Sequence, residues 1–214
     1  INLSLFTAKA FESVEEAFQG AGVKLVPVDQ DLVDIVWGKD RPKLPQKPLR
    51  IHPAAYAGRS HQEKLKELRE AMVTEKAEAV VVSLLDEVAW LFNLRGADTE
   101  NQTTFYAYAI VEAEKSRIFT DMSKVSGELQ SALGSAIEVL PYESFESKLA
   151  ELNGRVWIDP GSANADMRLQ LERRQIKLLL RETPLAAIKA KKNPAELAGM
   201  KAAHVRDGVA LVKF

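Results

Sequence analysis

The chain has 214 residues, 46% of them hydrophobic, enough to bury a sizeable core and the length of one domain plus a fraction or of two small ones. Lys and Arg number 29 against 30 Asp and Glu, a formal charge of -1, so no net field draws the chain to nucleic acid or anionic lipid. The lack of cysteine excludes disulfides, thiolate metal sites and cysteine nucleophiles together, and fits a reducing compartment with the cytoplasm as the default.

The first residue is Ile1, and INLSLF has neither the charged start nor the cleavage site of a signal peptide, so Ile1 is read as lying inside a longer protein. Thr7 can cap a helix on which Phe11, Val14 and Phe18 recur at three and four residues, with Gly20 and Gly22 as its stop. Val23 to Val28 reads as a short buried strand, and Leu32, Val33, Ile35, Val36 and Trp37 as a short helix after Asp29 and Asp31. So few elements cannot cover both faces of a strand, so they must pack on upstream sequence or on the next domain. Between Lys39 and Pro53, Pro42, Pro45, Pro48 and Pro53 remove backbone donors and bias their predecessors to extended geometry. The segment reads as a stiff interdomain linker, with a proline-rich docking ligand as the alternative.

An α/β alternation begins after the linker. Ser60 and Glu63 form a capping box ahead of Leu65, Leu68 and Met72, and the apolar run Ala79 to Leu85 has the length and β-branching of a central strand covered on both faces. Asp86 is expected to cap the helix EVAWLFN, which should end by Gly96 in a left-handed turn, before a loop through Asn101. Phe105 to Val111 and Arg117 to Thr120 read as paired strands, and Met122, Val125, Leu129 and Leu133 as one helix. Ile137 to Leu140 is a predicted strand, Tyr142 to Leu152 an amphipathic helix, Val156 to Ile158 a strand, Met167 to Gln175 a helix and Ile176 to Leu180 a strand. Pro184 opens a connection to the basic cluster Lys189, Lys191 and Lys192. Asn193, Pro194 and Glu196 then start a helix bearing Leu197, Met200, His204, Val209 and Val212, with no stop signal before Phe214. No apolar run reaches the roughly 18 to 20 residues that span a bilayer, and no repeat of 20 to 50 residues is present.

The search for chemistry finds no phosphate-binding glycine motif, no HExxH and no GxSxG. His52, His61 and His204 share no spacing that would put two on one metal, and each is read as structural. Asp86 and Glu87 are adjacent carboxylates that point apart and serve a helix start. Arg95 could meet an anion or wall a cleft, but an internal salt bridge or an interface is the preferred reading. Trp90, Phe92, Phe105, Tyr106 and Tyr108 lack interleaved Lys or Arg, so they read as core and not as a stacking platform for nucleic acid. No catalytic, cofactor-binding or metal-ligating residue is assigned.

The stretch VVSLLDEVAWLFNLRGADTENQTTFYAYAIV, Val81 to Val111, resembles the middle domain of the cytosolic, eukaryotic-type Xaa-Pro aminopeptidase (aminopeptidase P) family. Leu25 to Pro45, the helix after Ser60, and Ala187 to Leu211 agree in the same order; Met122 to Arg181 is weakest. The resemblance implies an α/β, creatinase N-terminal-like domain with a mixed sheet flanked by helices, spanning residues 58–188. It makes residues 1–57 the end of a first such domain with its linker, and 189–214 the way into a pita-bread catalytic domain. It implies a dinuclear manganese site built from two Asp, one His and two Glu, all beyond Phe214, so none falls on this sequence; His204 aligns with a family position that is not a ligand. It further implies a full-length, cytoplasmic, homodimeric enzyme that acts on peptides with proline second, without nucleic acid or membrane as partner, and a fragment inactive alone. The alternatives are a ligand-free binding module of histone-chaperone type and another creatinase or prolidase hydrolase.

Overall fold

The computed structural model describes residues 1–28 and 31–214; Asp29 lies outside the described residues. Among those described, a helical turn at Leu3–Leu5 precedes α1 (Ala8–Gly20) and α2 (Leu32–Trp37), whose expected caps Thr7 and Asp31 each accept a backbone N–H. Then come β1 (Arg50–Ile51), α3 (Ala54–Ala57), α4 (His61–Glu75), β2 (Ala79–Val82), α5 (Leu85–Leu91), β3 (Leu94–Arg95), β4 (Tyr108–Glu112) and β5 (Ser116–Thr120). The chain continues through α6 (Gly127–Leu133), β6 (Ile137–Pro141), α7 (Phe145–Leu149), β7 (Arg155–Ile158), α8 (Ala165–Arg173), β8 (Lys177–Leu180), α9 (Leu185–Ala190) and α10 (Pro194–Lys213).

Six strands form one mixed sheet in the order β6-β5-β4-β2-β7-β8. β2 lies in its middle as expected, antiparallel to β4 and parallel to β7. All four of its residues are buried because alternate side chains enter two different cores. Val80 and Val82 face α4, α5, α6 and α9 with Ala109, Val111, Ile118, Trp157 and Leu179. Ala79 and Val81 face α7 and α8 with Ile110, Phe119, Val156 and Ile158. The capping box at Ser60 is complete, and the row Leu65, Leu68, Met72 is buried. The leading segment packs on α8: Leu3 and Phe11 cluster with Ala165, and the Ala8 and Lys9 amides donate to the carbonyls of Ala163 (2.8 Å) and Pro160 (2.9 Å).

Several expected elements come out differently. Val23 to Val28 forms no strand, and Val23, Val26 and Val28 are 47%, 63% and 44% exposed. Its anchors are the Val23 amide on the Phe18 carbonyl (2.9 Å), the Ile1 ammonium on the Val26 carbonyl (2.7 Å) and the Val28 amide on the Ile1 carbonyl (3.0 Å); an apolar run becomes a strand only where a sheet edge meets it. The end of the proline-rich segment is held by the fold. Leu49 is buried and its amide donates to the Lys124 carbonyl (2.9 Å), and β1 pairs antiparallel with β3. The run from Met122 breaks into a 3-10 turn (Met122–Lys124) and α6, because Ser126 caps a new start by accepting the Leu129 amide. The expected helix from Tyr142 shrinks to a 3-10 turn and α7. Behind Pro184 stands a whole helix, α9, since proline is compatible with the start of a helix.

The ends of α5 differ most. Its N-cap is Leu84, not Asp86, and no side chain caps it; the strand stops at Val82, so the turn comes early and Asp86 and Glu87 fall in the first helical turn, complementing the dipole. Its end is made by Asn93, which takes the left-handed conformation (φ 53) that was expected of Gly96. Gly96 serves close approach instead: a Cβ there would sit 2.5 Å from Phe105 Cβ and 3.0 Å from the Thr104 carbonyl oxygen. Gly96→Ala is therefore expected to cost about 1–3 kcal/mol, read from the urea midpoint at unchanged slope. An unshifted midpoint would show that the segment carrying Phe105 yields freely.

Candidate functional site at the foot of the last helix

The residues singled out in the sequence converge, in part, where α10 begins. Asn193 Oδ1 accepts the Glu196 amide and Glu196 Oε2 accepts the Asn193 amide, both at 3.0 Å, a capping box that leaves Asn193 Nδ2 free to donate to the Ala57 carbonyl (2.7 Å). The other carboxylate oxygen of Glu196 accepts from Trp90 Nε1 at 3.4 Å. Behind Trp90 lies Lys64, 2% exposed, its ammonium 4.2 Å from the indole centroid and donating to the Trp90 carbonyl (2.9 Å) and to Asn93 Oδ1 (2.6 Å). Asn93 Nδ2 donates to the Arg59 carbonyl (2.8 Å), so one buried amide holds the left-handed turn and joins α4 to α5.

Arg95 turns inward. Its guanidinium donates to the carbonyls of Ala89 (3.1 Å) and Leu94 (2.8 Å), closing the C-terminus of α5, where an internal salt bridge or an interface was expected of it. The His52 amide donates to the Asn93 carbonyl (2.7 Å), and its ring stacks on Tyr56 with centroids 6.0 Å apart. The cluster is cationic apart from Glu196. Burial pushes Lys64 down to about 8, with Glu196 opposing and Arg95 and Arg59 adding to the shift. Burial lowers Arg95 too, against Glu196; His52 is lowered by burial and then by Arg95 and Lys64.

Of the other two histidines, His61 lines a small cavity together with His52 and Asn93, its Nε2 3.3 Å from the Leu133 carbonyl, while His204 Nδ1 lies 2.8 Å from the Met200 carbonyl on the exposed α10. Trp90, Phe92 and Phe105 are core, while Tyr106 is 36% exposed. Asp86 pairs with Lys189. Glu87 is only 5% exposed, and its carboxyl is raised from 4.5 to about 7, by burial first; Lys189 opposes, while Asp86, Asp159 and Glu182 add. A raised carboxyl binds its proton more tightly in the folded chain than in the unfolded one. The resulting loss of stability is absent below pH 4.5 and complete above about pH 7. Glu87→Gln is expected to be roughly 1–3 kcal/mol more stable than the parent at pH 8 and equal to it at pH 4, read from urea unfolding at both values. A constant difference across that range would show that Glu87 does not titrate there.

Sequence reasoning missed Lys64 and Asn93, and read Asn193 as the helix cap alone, without its bond to the Ala57 carbonyl. One signal was available: Lys64 occupies the same i, i+4 row as Leu68 and Met72, a cation on an apolar stripe. A buried ion pair was equally unread. Asp98 Oδ2 accepts from Lys124 Nζ (2.5 Å) and from the Tyr106 amide (2.8 Å), with side chains 0% and 1% exposed, and Asp98 Oδ1 has no partner among the described residues.

The site fixes backbone. It offers no nucleophile beside a base, and among the described residues no group of three or more His, Cys, Asp or Glu could hold a metal ion, so these side chains do not fit a dinuclear centre. No described helix is long and apolar enough to cross a membrane. The mixed sheet and its two helical layers are those of a creatinase-type N-terminal module. The chain matches the Creatinase/Prolidase N-terminal domain family over residues 40–196 and belongs to it. It is 40% identical over 223 residues to "Probable Xaa-Pro aminopeptidase P" of Aspergillus clavatus, covering 100% of this chain and 34% of that protein. It is 39% identical over 225 residues to the protein of that name in Aspergillus niger, covering 100% and 36%. Among solved structures it is similar to X-prolyl aminopeptidase from Caenorhabditis elegans, described as a cytosolic enzyme with a di-nuclear active site. That match has a TM-score of 0.91 at 26% identity and covers 99% of this chain and 35% of that one. The prolidase from Pyrococcus horikoshii shares the fold alone, with a TM-score of 0.50 at 16% identity over 70% of this chain and 41% of its own. The resemblance read from LDEVAWLFNLRG is thus borne out, and the chain spans about a third of the length of the relatives it matches.

Proposed function

We propose that this chain is the non-catalytic part of a manganese-dependent Xaa-Pro aminopeptidase, which in full length releases the N-terminal residue from peptides with proline in second position. The observation that carries this reading is the alignment of the whole chain with about a third of the Xaa-Pro aminopeptidase P relatives, at 40% and 39% identity. Residues 58–188 form the second creatinase-like domain, 1–57 the end of the first with its linker, and 189–214 the linker and first helix of the catalytic domain. The cluster at Lys64, Trp90, Asn93 and Glu196 sets where that helix leaves the α/β layers. The parent enzyme is a cytoplasmic homodimer, and the 214 residues contribute no catalytic, cofactor or metal residue.

The test assays this chain and the full-length protein side by side with manganese on an Xaa-Pro peptide. Turnover is expected from the full-length protein alone. Turnover by the 214-residue chain, or none by the full-length protein, overturns the assignment.

A further inference from the structure

We propose that His52 and His61 form an acid-sensitive latch: when both take a proton in the cavity they share, residues 50–57 loosen and the base of α10 loses its shorter anchor. His52 follows β1 and His61 opens α4, and both line one cavity of about 140 Å³ with Phe92, Asn93, Leu94 and Leu133. The two rings are half-buried, and neither has a carboxylate partner among the described residues. His61 Nε2 faces the Leu133 carbonyl, and the His52 ring stacks on Tyr56.

The charges around the cavity are mostly of one sign. Lys64 on α4 faces both rings, Arg95 on β3 and Arg50 on β1 face His52, and Glu196 at the foot of α10 is the opposing carboxylate. Arg59 and Glu63 are committed elsewhere, Arg59 to Glu67 and Glu63 to the capping box. Burial holds both rings below the ordinary 6.5; Arg95 and Lys64 then add to it at His52 against Glu196, and Lys64 at His61 against the Leu133 carbonyl. A ring that binds its proton less tightly in the closed form than in an open one stabilises closure fully above pH 6.5. That contribution is lost as pH falls through the lower value.

The repulsion is relieved where the packing is thinnest. α4 is fixed by the buried Lys64, Leu65, Leu68 and Met72, whereas β1 is exposed and pairs through two residues, and α3 buries Ala57 alone. The Ala57 carbonyl is the acceptor of Asn193 Nδ2 at 2.7 Å, so opening of residues 50–57 leaves the base of α10 with the 3.4 Å contact between Glu196 and Trp90.

The test compares the 214-residue chain at pH 7.5 and pH 5.5 by three measurements. The ring resonances of His52 and His61 are expected to titrate below a capped histidine. Amide protection at His52, Ala57 and Gly58, corrected for intrinsic exchange, should fall by roughly tenfold at the lower pH while that of β2 holds. The chain has no cysteine, so Val73→Cys and Val205→Cys, both at exposed positions, take spin labels cleanly, and the distance distribution between them should broaden on acidification. Glu87 also gains its proton in this window, and His52→Gln with His61→Gln separates the two: this variant should keep its protection and its narrow distribution at pH 5.5. Ring midpoints at or above that of capped histidine, protection or label distances that ignore pH, or a double variant that opens as the parent does, overturns the proposal. If the double variant fails to fold, the ring titration and protection of the parent still decide. The latch is independent of the aminopeptidase reading, because no measurement uses turnover.

Discussion

Asp98→Ala is expected to cost about 3–5 kcal/mol of unfolding free energy, measured by urea denaturation, because it strands a buried ammonium. Lys124 is 1% exposed and holds Asp98 at 2.5 Å, with no other acceptor for its ammonium among the described residues. The same carboxylate accepts the Tyr106 amide, so the loop between β3 and β4 loses its anchor together with the charge. The Lys124 carbonyl meanwhile receives the Leu49 amide, which extends the effect to the proline-rich segment. The companion is Asp98→Leu with Lys124→Met, which removes both charges and should recover more than half of the loss. A single-variant cost below about 1 kcal/mol would show that Lys124 reaches water when its partner is gone.

Phe119→Ala should cost a comparable 3–5 kcal/mol and lower the thermal midpoint by roughly 10 °C. Phe119 is fully buried, paired across the sheet with Tyr108 on one side and Leu140 on the other, and its ring meets Phe145 edge-on at 5.3 Å. Strands β4 and β6 are held to β5 by hydrogen bonds and cannot close over the void, so the cavity persists. Tyr106→Ala, 36% exposed and outside the strands, is the control and should cost far less. Equal costs for the two would place the core elsewhere than in the aromatic layer beneath α7.

The elements legible in the sequence were those where local chemistry and tertiary demand agree. Ser60 with Glu63, and Asn193 with Pro194 and Glu196, carry their own hydrogen-bond partners, so both helices begin where the caps say. The run at Ala79 has no polar face, which only a strand between two layers satisfies. Failures came where a distant contact decides. Val23 to Val28 has the composition of a strand, but no strand pairs with it: among the described residues its backbone meets only Phe18 and Ile1, and Leu25 packs beside Leu3 and Phe11. Asn93 takes the left-handed turn because Lys64 and Arg59, about thirty residues earlier, hold its amide, and no local rule contains that. Gly96 was read as the left-handed turn, whereas Phe105, from another segment, crowds it and leaves no room for a Cβ. The absence of an assigned site residue was argued from missing motifs, whereas the clusters at Lys64 and Asp98 depend on pairings between segments 26 to 29 residues apart.

The tether of α10 has a mechanical consequence. Twenty residues rising 1.5 Å each give a rod about 30 Å long, held at its first turn by Asn193 and Glu196 and bearing no buried residue along the rest. A rod fixed at one end is a lever. A tilt of about 5° at Trp90 and Ala57 would displace its far end by roughly 2 to 3 Å over that length, more than the width of a hydrogen bond's tolerance. Small repacking around a single buried lysine would thereby become an ångström-scale shift of residues three helical turns and more away.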